Sequence, residues 1–328
     1  MSLIRHALVF SLAMFLPSAT FSDSLSLAYF MGPRHPMNAA VFEPFAERLE
    51  EVSEGALTVQ QFPGGALNSV PPRQYDILLD GIADIVFTLP GYTADRFPLT
   101  TLISIPQTCD SPTACTQALL NVRDQLSEEY DAKILAVWAN APPVLITRDQ
   151  AVRSPSDLEG MKIRVTSRQD IPFVEALGAT ALVQPVSEIN QNLTNGVIDG
   201  IMIDTSAIRS FRLNEAGNYI TTWSPMSGAA FVLLMNNDVY NGLSEQERAW
   251  IDEASGDWLS LSGAAGFEAA SAGGLQLAID SGMEIIEFSE SDVALLDGAV
   301  EPVLQELLDQ PLGDGQTIGK FIEMMTAE

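Results

Sequence analysis

The stretch DLEGMKIRV at Asp157–Val165 is followed by EALGAT at Glu175–Thr180, PVSEINQNL at Pro185–Leu193 and NGVIDG at Asn195–Gly200. Within this region Met161–Val165, Ala181–Gln184 and Val197–Met202 are short apolar runs of strand length. Asp170–Leu177, Ser187–Asn195 and Thr205–Arg212 lie between or after them and keep helical spacing. Val144–Arg148 adds a strand ahead of the block. Strands alternating with helices specify βα units and an α/β fold.

The same alternation runs outward in both directions. Toward the N-terminus, Leu25–Met31, Ala56–Phe62, Ala83–Thr88 and Lys133–Trp138 read as strands. Asn38–Val52 is helical through Val41, Phe42, Phe45 and Leu49, with Pro44 either kinking it or sitting in its first turn. Ser69 reads as the N-cap of a helix that starts at Pro71-Pro72, and Ser111–Glu128 is a further helix. Toward the C-terminus, Ala229–Met235 is a strand that can cross back to the first block. One long helix is expected from Ser244, where Ser244 and Glu247 make a capping box. Trp250, Ile251, Ala254 and Trp258 keep its period, and it can run past Ala270, interrupted by glycines. Glu284–Phe288 is a last strand, before helices at Asp292–Leu308 and Thr317–Met325. Two such blocks mean two α/β lobes. The expected division is residues 23–146 plus 229–270 for one lobe and 147–228 plus 271–328 for the other.

Charge narrows the function. The chain holds 43 Asp and Glu against 16 Lys and Arg, a net charge of −27 over 328 residues. Binding a polyanion needs clustered Lys and Arg, so nucleic acid is disfavoured, and so is an anionic membrane surface. Residues 1–22, MSLIRHALVFSLAMFLPSATFS, have a basic start, an apolar run at Ala7–Leu16, a break at Pro17 and small residues before Ser22. That is the grammar of an export signal cleaved near Ser22. The run is too short to span a bilayer, which takes ~20 residues. The mature chain is therefore expected without stable membrane insertion.

Cys109 and Cys115 are the two cysteines. In an oxidising compartment they read as a small disulfide loop, with free thiols as the alternative. A metal site would need three or four ligands, and His35 is the one histidine left after cleavage. A nucleophilic triad lacks its base for the same reason. Gly64-Gly65 and Gly273-Gly274 fit no phosphate-cradling pattern, so no cofactor is implied. Carboxylate pairs are abundant, which leaves an exported enzyme using such a pair as one alternative and a ligand-presenting sensor partner as another.

Taken in order and spacing, the four central segments resemble the extracytoplasmic substrate-binding proteins of tripartite ATP-independent periplasmic (TRAP) transporters, the DctP-like family. The similarity extends to HPMN at His35–Asn38, the Phe62–Gly65 turn, DGIADI at Asp80–Ile85 and Leu243-Ser244, nearly the whole mature chain. The resemblance implies two α/β lobes joined by crossing strands and a long helix, closing on a small organic acid. It implies a periplasmic protein that delivers the acid unchanged to a small and a large membrane permease subunit. It also makes Arg164, in the KIRV segment, the carboxylate clamp. A guanidinium fork suits that role, because it matches a carboxylate bidentately and keeps its charge when desolvated.

Departures from the family pattern bear on the ligand. The polar residue common three places after the DG pair is Ile203 here, followed by Asp204. The aromatic and Tyr usual around the PVSEIN segment are Val186 and Asn190. The second arginine of sialic acid binders is replaced by Val144, although Arg148 lies near. These losses point to a simpler, more apolar acid. Further cleft candidates come from strand ends: Phe30, Tyr92, Trp138, Asn140, Met202, Asp204 and Phe231, with Arg148. Each of the first seven fits the core as well as the cleft, while Arg148 either binds ligand, the favoured reading, or holds the lobes together.

Overall fold

The computed structural model describes residues 23–313 and 315–327; the segment read as an export signal lies outside them. Its strands are β1 (Asp23–Ala28), β2 (Leu57–Phe62), β3 (Ile85–Thr88), β4 (Ala132–Ala139), β5 (Val144–Thr147) and β6 (Lys162–Val165). They continue as β7 (Thr180–Val183), β8 (Gly200–Ile203), β9 (Tyr219–Thr221), β10 (Ala230–Asn236) and β11 (Glu284–Ile286). One sheet has the order β2-β1-β3-β10-β4 and the other β11-β9-β5-β8-β6-β7. β3, β8 and β10 are buried along their whole length, as apolar strands covered on both faces must be.

Each sheet contains one strand that runs against its neighbours. β10 is antiparallel to β3 and β4, and β5 is antiparallel to β8 and β9. These are the two strands that have crossed from the other lobe. The chain leaves the first sheet after β4 and enters the second as β5; it leaves the second after β9 and returns as β10. A helix at Asp257–Asp280 packs on β4 and on the Pro112–Asn121 helix of one lobe, and on the Ala207–Ser210 helix of the other. The fold is two-lobed α/β, with both crossing strands in place.

Three local expectations are corrected. The long helix does not start at Ser244. Glu245–Ala254 ends at Ser255, and Gly256, at φ 90°, starts a separate helix at Asp257. That backbone angle is open to glycine and strained for other residues. Ser69 does not cap the next helix. From that position it would have to accept N–H bonds from Pro71 or Pro72, which have none; Val70 takes the cap position, and a 3-10 turn at Pro71–Arg73 leads into Gln74–Leu79. The Ser111–Glu128 helix is split by Val122 into Pro112–Asn121 and Arg123–Ser127. Pro44 sits in the first turn of Glu43–Val52, where its missing N–H costs nothing. Cys109 and Cys115 form a disulfide with their Cα atoms 5.1 Å apart.

Candidate functional site

The carboxyl ends of parallel strands from both sheets meet across one cavity, the position where open α/β sheets take ligands. Its empty volume, mouth included, is about 480 Å³. From the first sheet come Phe30 and Met31 after β1, Leu89 and Tyr92 after β3, Asn140 after β4, and Ala229 and Phe231 at the start of β10. From the second come Arg164 and Thr166 on and after β6, Val186 after β7, and Ile203 and Asp204 at the end of β8. His35, Ser206, Ala207, Phe211 and Phe267 complete the wall.

Arg164 is the penultimate residue of β6 and 1% exposed. Its Nε donates to the Gln184 carbonyl at 2.9 Å, and its Nη1 donates to Thr166 Oγ1 at 3.0 Å and the Met202 carbonyl at 3.3 Å. A guanidinium has five N–H groups, so these bonds fix its plane without using all its donors. Among the described residues no carboxylate comes within ion-pair distance of it. Burial pulls its pKa down, while Tyr92, Asp170 and Asp204 favour its charge. A buried cation without a bonded anion is a costly arrangement that an incoming carboxylate relieves.

Two buried acids flank it. Asp170 is pushed up to about 6 by burial, against hydrogen bonds from Ser167 and the attraction of Arg164. Asp204 is raised by burial too; its Oδ1 accepts from the Ser206 N–H at 2.9 Å and its Oδ2 from Asn140 Nδ2 at 2.5 Å. The second of these bonds joins the end of β4 to the end of β8, one lobe to the other. Tyr92 bridges as well: its hydroxyl accepts from the Val186 N–H at 3.1 Å and lies beside Arg164.

Beside the aliphatic residues, the rest of the wall carries a cluster of aromatic rings. Phe231 packs on Phe267 with ring centroids 4.7 Å apart, and Phe30 lies 6.3 Å from Tyr92. His35 meets Phe211 and Phe267 edge-on, and burial lowers its pKa to about 4, so it is neutral at pH 7. Its Nδ1 accepts from the Met37 N–H at 3.3 Å, which leaves the ring proton on Nε2.

Of the residues proposed from sequence, Arg164, Tyr92, Phe30, Asn140, Asp204 and Phe231 line the cavity. Trp138 stands one layer behind, stacked on Phe231 at 6.3 Å, with its Nε1 donating to Met37 Sδ. The Met202 side chain is buried in the core, and only its carbonyl reaches Arg164. Arg148 is away from the cavity: its guanidinium donates to the Ala216 carbonyl at 3.3 Å. His35, Phe211 and Phe267 were not proposed, although His35 follows a strand's carboxyl end as Phe30 does.

Similarity to known proteins agrees with this geometry. A marine metagenome TRAP solute-binding protein, from an unidentified microbe and specific for aromatic acid ligands, was solved with metahydroxyphenylacetate. It is 30% identical, with 92% of this chain and 97% of that chain covered at a TM-score of 0.85. A TRAP solute-binding protein of Rhodoferax ferrireducens with copurified benzoate is 26% identical, covering 93% and 97% at a TM-score of 0.84. A solute-binding protein of Roseobacter denitrificans is 29% identical over 217 residues, 62% of this chain and 64% of that one, just under two thirds of its length. Residues 27–310 match the DctP family, described as bacterial extracellular solute-binding protein, family 7. The chain belongs to that family, the substrate-binding proteins of TRAP transporters.

Proposed function

We propose that this protein captures a small aromatic carboxylate between its lobes in the periplasm, after loss of residues 1–22, and delivers it unchanged to the membrane permease subunits. The observation that carries the ligand class is Arg164, a buried guanidinium without a bonded anion among the described residues, set in a wall that includes Phe30, Tyr92, Phe211, Phe231 and Phe267. Arg164 receives the carboxylate, and the rings take the apolar body. The two relatives solved with aromatic acids support the same class. The lobe division at residues 228/229 is part of this reading, and the memberships of β9 and β10 in different sheets support it. The expected break at 146/147 is corrected to residues 140–143, because β5 (Val144–Thr147) pairs along its whole length with the second sheet. The break at 270/271 falls inside the Asp257–Asp280 helix that packs on both lobes.

Full burial of a phenyl-sized group is worth ~1.5–3 kcal/mol, a preference of roughly one to two decades over an aliphatic acid that leaves the wall unfilled. Calorimetric titration with benzoate, metahydroxyphenylacetate, succinate and galacturonate tests this. The aromatic acids should bind about tenfold or more tighter, and mass spectrometry of the released ligand should find it unaltered. Tighter binding of succinate, or a changed product, rejects the proposal.

A further inference from the structure

We propose that Arg34, Arg209 and Arg212 form a cationic port that draws carboxylate anions out of solution and into the cavity. This rests on the reading of the ligand as an anion. Two surface depressions adjoin the cavity. One shares His35 and Phe211 with it and is lined by all three arginines. The other shares Ser206 and is lined by Arg34 and Arg209. Among the described residues neither depression is lined by an Asp or Glu, in a chain with 43 of them.

The side chains are also left unpaired. Arg48, Arg73, Arg96, Arg123, Arg153 and Arg168 are each paired with a carboxylate. Among the described residues the guanidiniums of Arg34, Arg209 and Arg212 have no such partner, and all three residues are exposed. Arg34 follows β1 of one lobe, while Arg209 and Arg212 follow β8 of the other, so the port stands on both sides of the entrance. Arg212 is held at φ 53°, a left-handed angle uncommon for a residue with a side chain, and Asn190 Nδ2 secures it by donating to the carbonyls of Phe211 and Arg212 at 2.9 Å.

The physical need is plain. Without residues 1–22 the chain carries a net charge of −28, and its average field repels the anion it must collect. A local cluster of unpaired cations reverses that field at the mouth, and such focusing raises association rates ~10-fold to 10³-fold. Salt screens both fields, with a Debye length of ~30 Å at 0.01 M and ~3 Å at 1 M.

Stopped-flow association of benzoate and metahydroxyphenylacetate with the mature protein tests the port, with the triple variant R34Q/R209Q/R212Q and with Arg164→Ala in parallel. For the parent, the association rate should fall as salt is raised. For the triple variant it should start about tenfold lower at low salt and rise with salt, because only the repulsive average field remains. Dissociation rates should agree within about twofold. A triple variant with the parent's rate and salt slope overturns the port, and so does a change confined to dissociation. Lost cellular uptake with unchanged association also overturns it, in favour of a permease-docking face. If neither acid binds the parent, or Arg164→Ala binds as well as the parent, the anion reading itself fails; Arg164-dependent binding with a port-independent rate overturns the port alone.

Discussion

Arg164 stays dry while every other arginine of the described residues keeps some contact with water. Its truncation should strand a ligand carboxylate in an apolar site, so Arg164→Ala is expected to cost about 3–5 kcal/mol of binding, two to four decades. Arg164→Lys should recover part, since an ammonium keeps the charge without the fork. Arg148→Ala should bind within threefold of the parent, because that side chain is spent on the Ala216 carbonyl. Calorimetry on the folded fraction checks all three; parent-like binding by Arg164→Ala would sink the clamp. The titrating groups give opposite slopes with pH. His35 is lowered from 6.5 to about 4, so the unfolded chain holds more protons in that window, and its share of stability is lost as pH falls from about 6.5 to 4. Asp170 is raised from 3.8 to about 6, so the folded chain holds more protons, and its share is lost as pH rises from about 4 to 6. Relative to the parent, unliganded His35→Gln should lose less stability on acidification and Asp170→Asn less on neutralisation. Melting curves across pH 4–7 decide; differences of the same sign for both variants would refute the assignment. At this scale the sequence was partly legible. Arg164, proposed through its motif, lines the cavity, whereas next to the proposed Met202 it is Ile203 that lines it, a one-residue shift that reverses the side of a strand.

At the scale of elements, composition pointed to strands and helices more reliably than to their ends. The apolar period ran on from Ile251 through Ala254 to Trp258, which hid the break at Ser255-Gly256; the Ser-Gly pair was the available signal. The two glycines later in Asp257–Asp280 could not be told apart from sequence, because what distinguishes them is the neighbour each one meets. A Cβ on Gly274 would come within 1.8 Å of the Thr205 carbonyl oxygen, beside the cavity loop, whereas one on Gly273 meets nothing within 4 Å. That close approach lets the helix lie against the second lobe, where Thr205 Oγ1 donates to the Ser271 carbonyl at 2.8 Å. Gly273→Ala should therefore stabilise by about 0.5–1 kcal/mol through helix propensity. Gly274→Ala should destabilise by about 1–3 kcal/mol, as the helix is forced off its seat. Denaturant unfolding of the two variants checks the opposite signs, and equal shifts would show that the contact does not constrain the helix.

For the whole molecule, two lobes and a returning strand near Ala229 were legible because βα alternation breaks and resumes, but the node where the crossings touch was not. Asn140 and Ala229 exchange backbone and side-chain bonds there: the Asn140 N–H donates to the Ala229 carbonyl at 3.2 Å, and its Oδ1 accepts from the Ala229 N–H at 2.7 Å. Gly228 is needed beside it, since a Cβ would lie 2.2 Å from the Asn140 carbonyl oxygen. Around the cavity the lobes meet through a few polar contacts: Tyr92 with Val186, Asn140 with Asp204, Ser104 Oγ with Asp170 at 3.4 Å, and the exposed Arg168–Asp95 pair at 3.6 Å. Each of the first three is worth about 0.5–1.5 kcal/mol net, or up to about 3 kcal/mol where a charge takes part. So small a set leaves closure within reach of the binding energy of one anion. Saturation with benzoate should shrink the radius measured by small-angle scattering. Tyr92→Phe keeps the ring but removes the hydroxyl that joins Val186 to the neighbourhood of Arg164. It should weaken binding about twofold to tenfold, with the change in dissociation, because the closed arrangement opens more readily while the entrance is untouched. A scattering profile unchanged at saturation, or a Tyr92→Phe effect confined to association, would mean that the lobes do not close on the ligand.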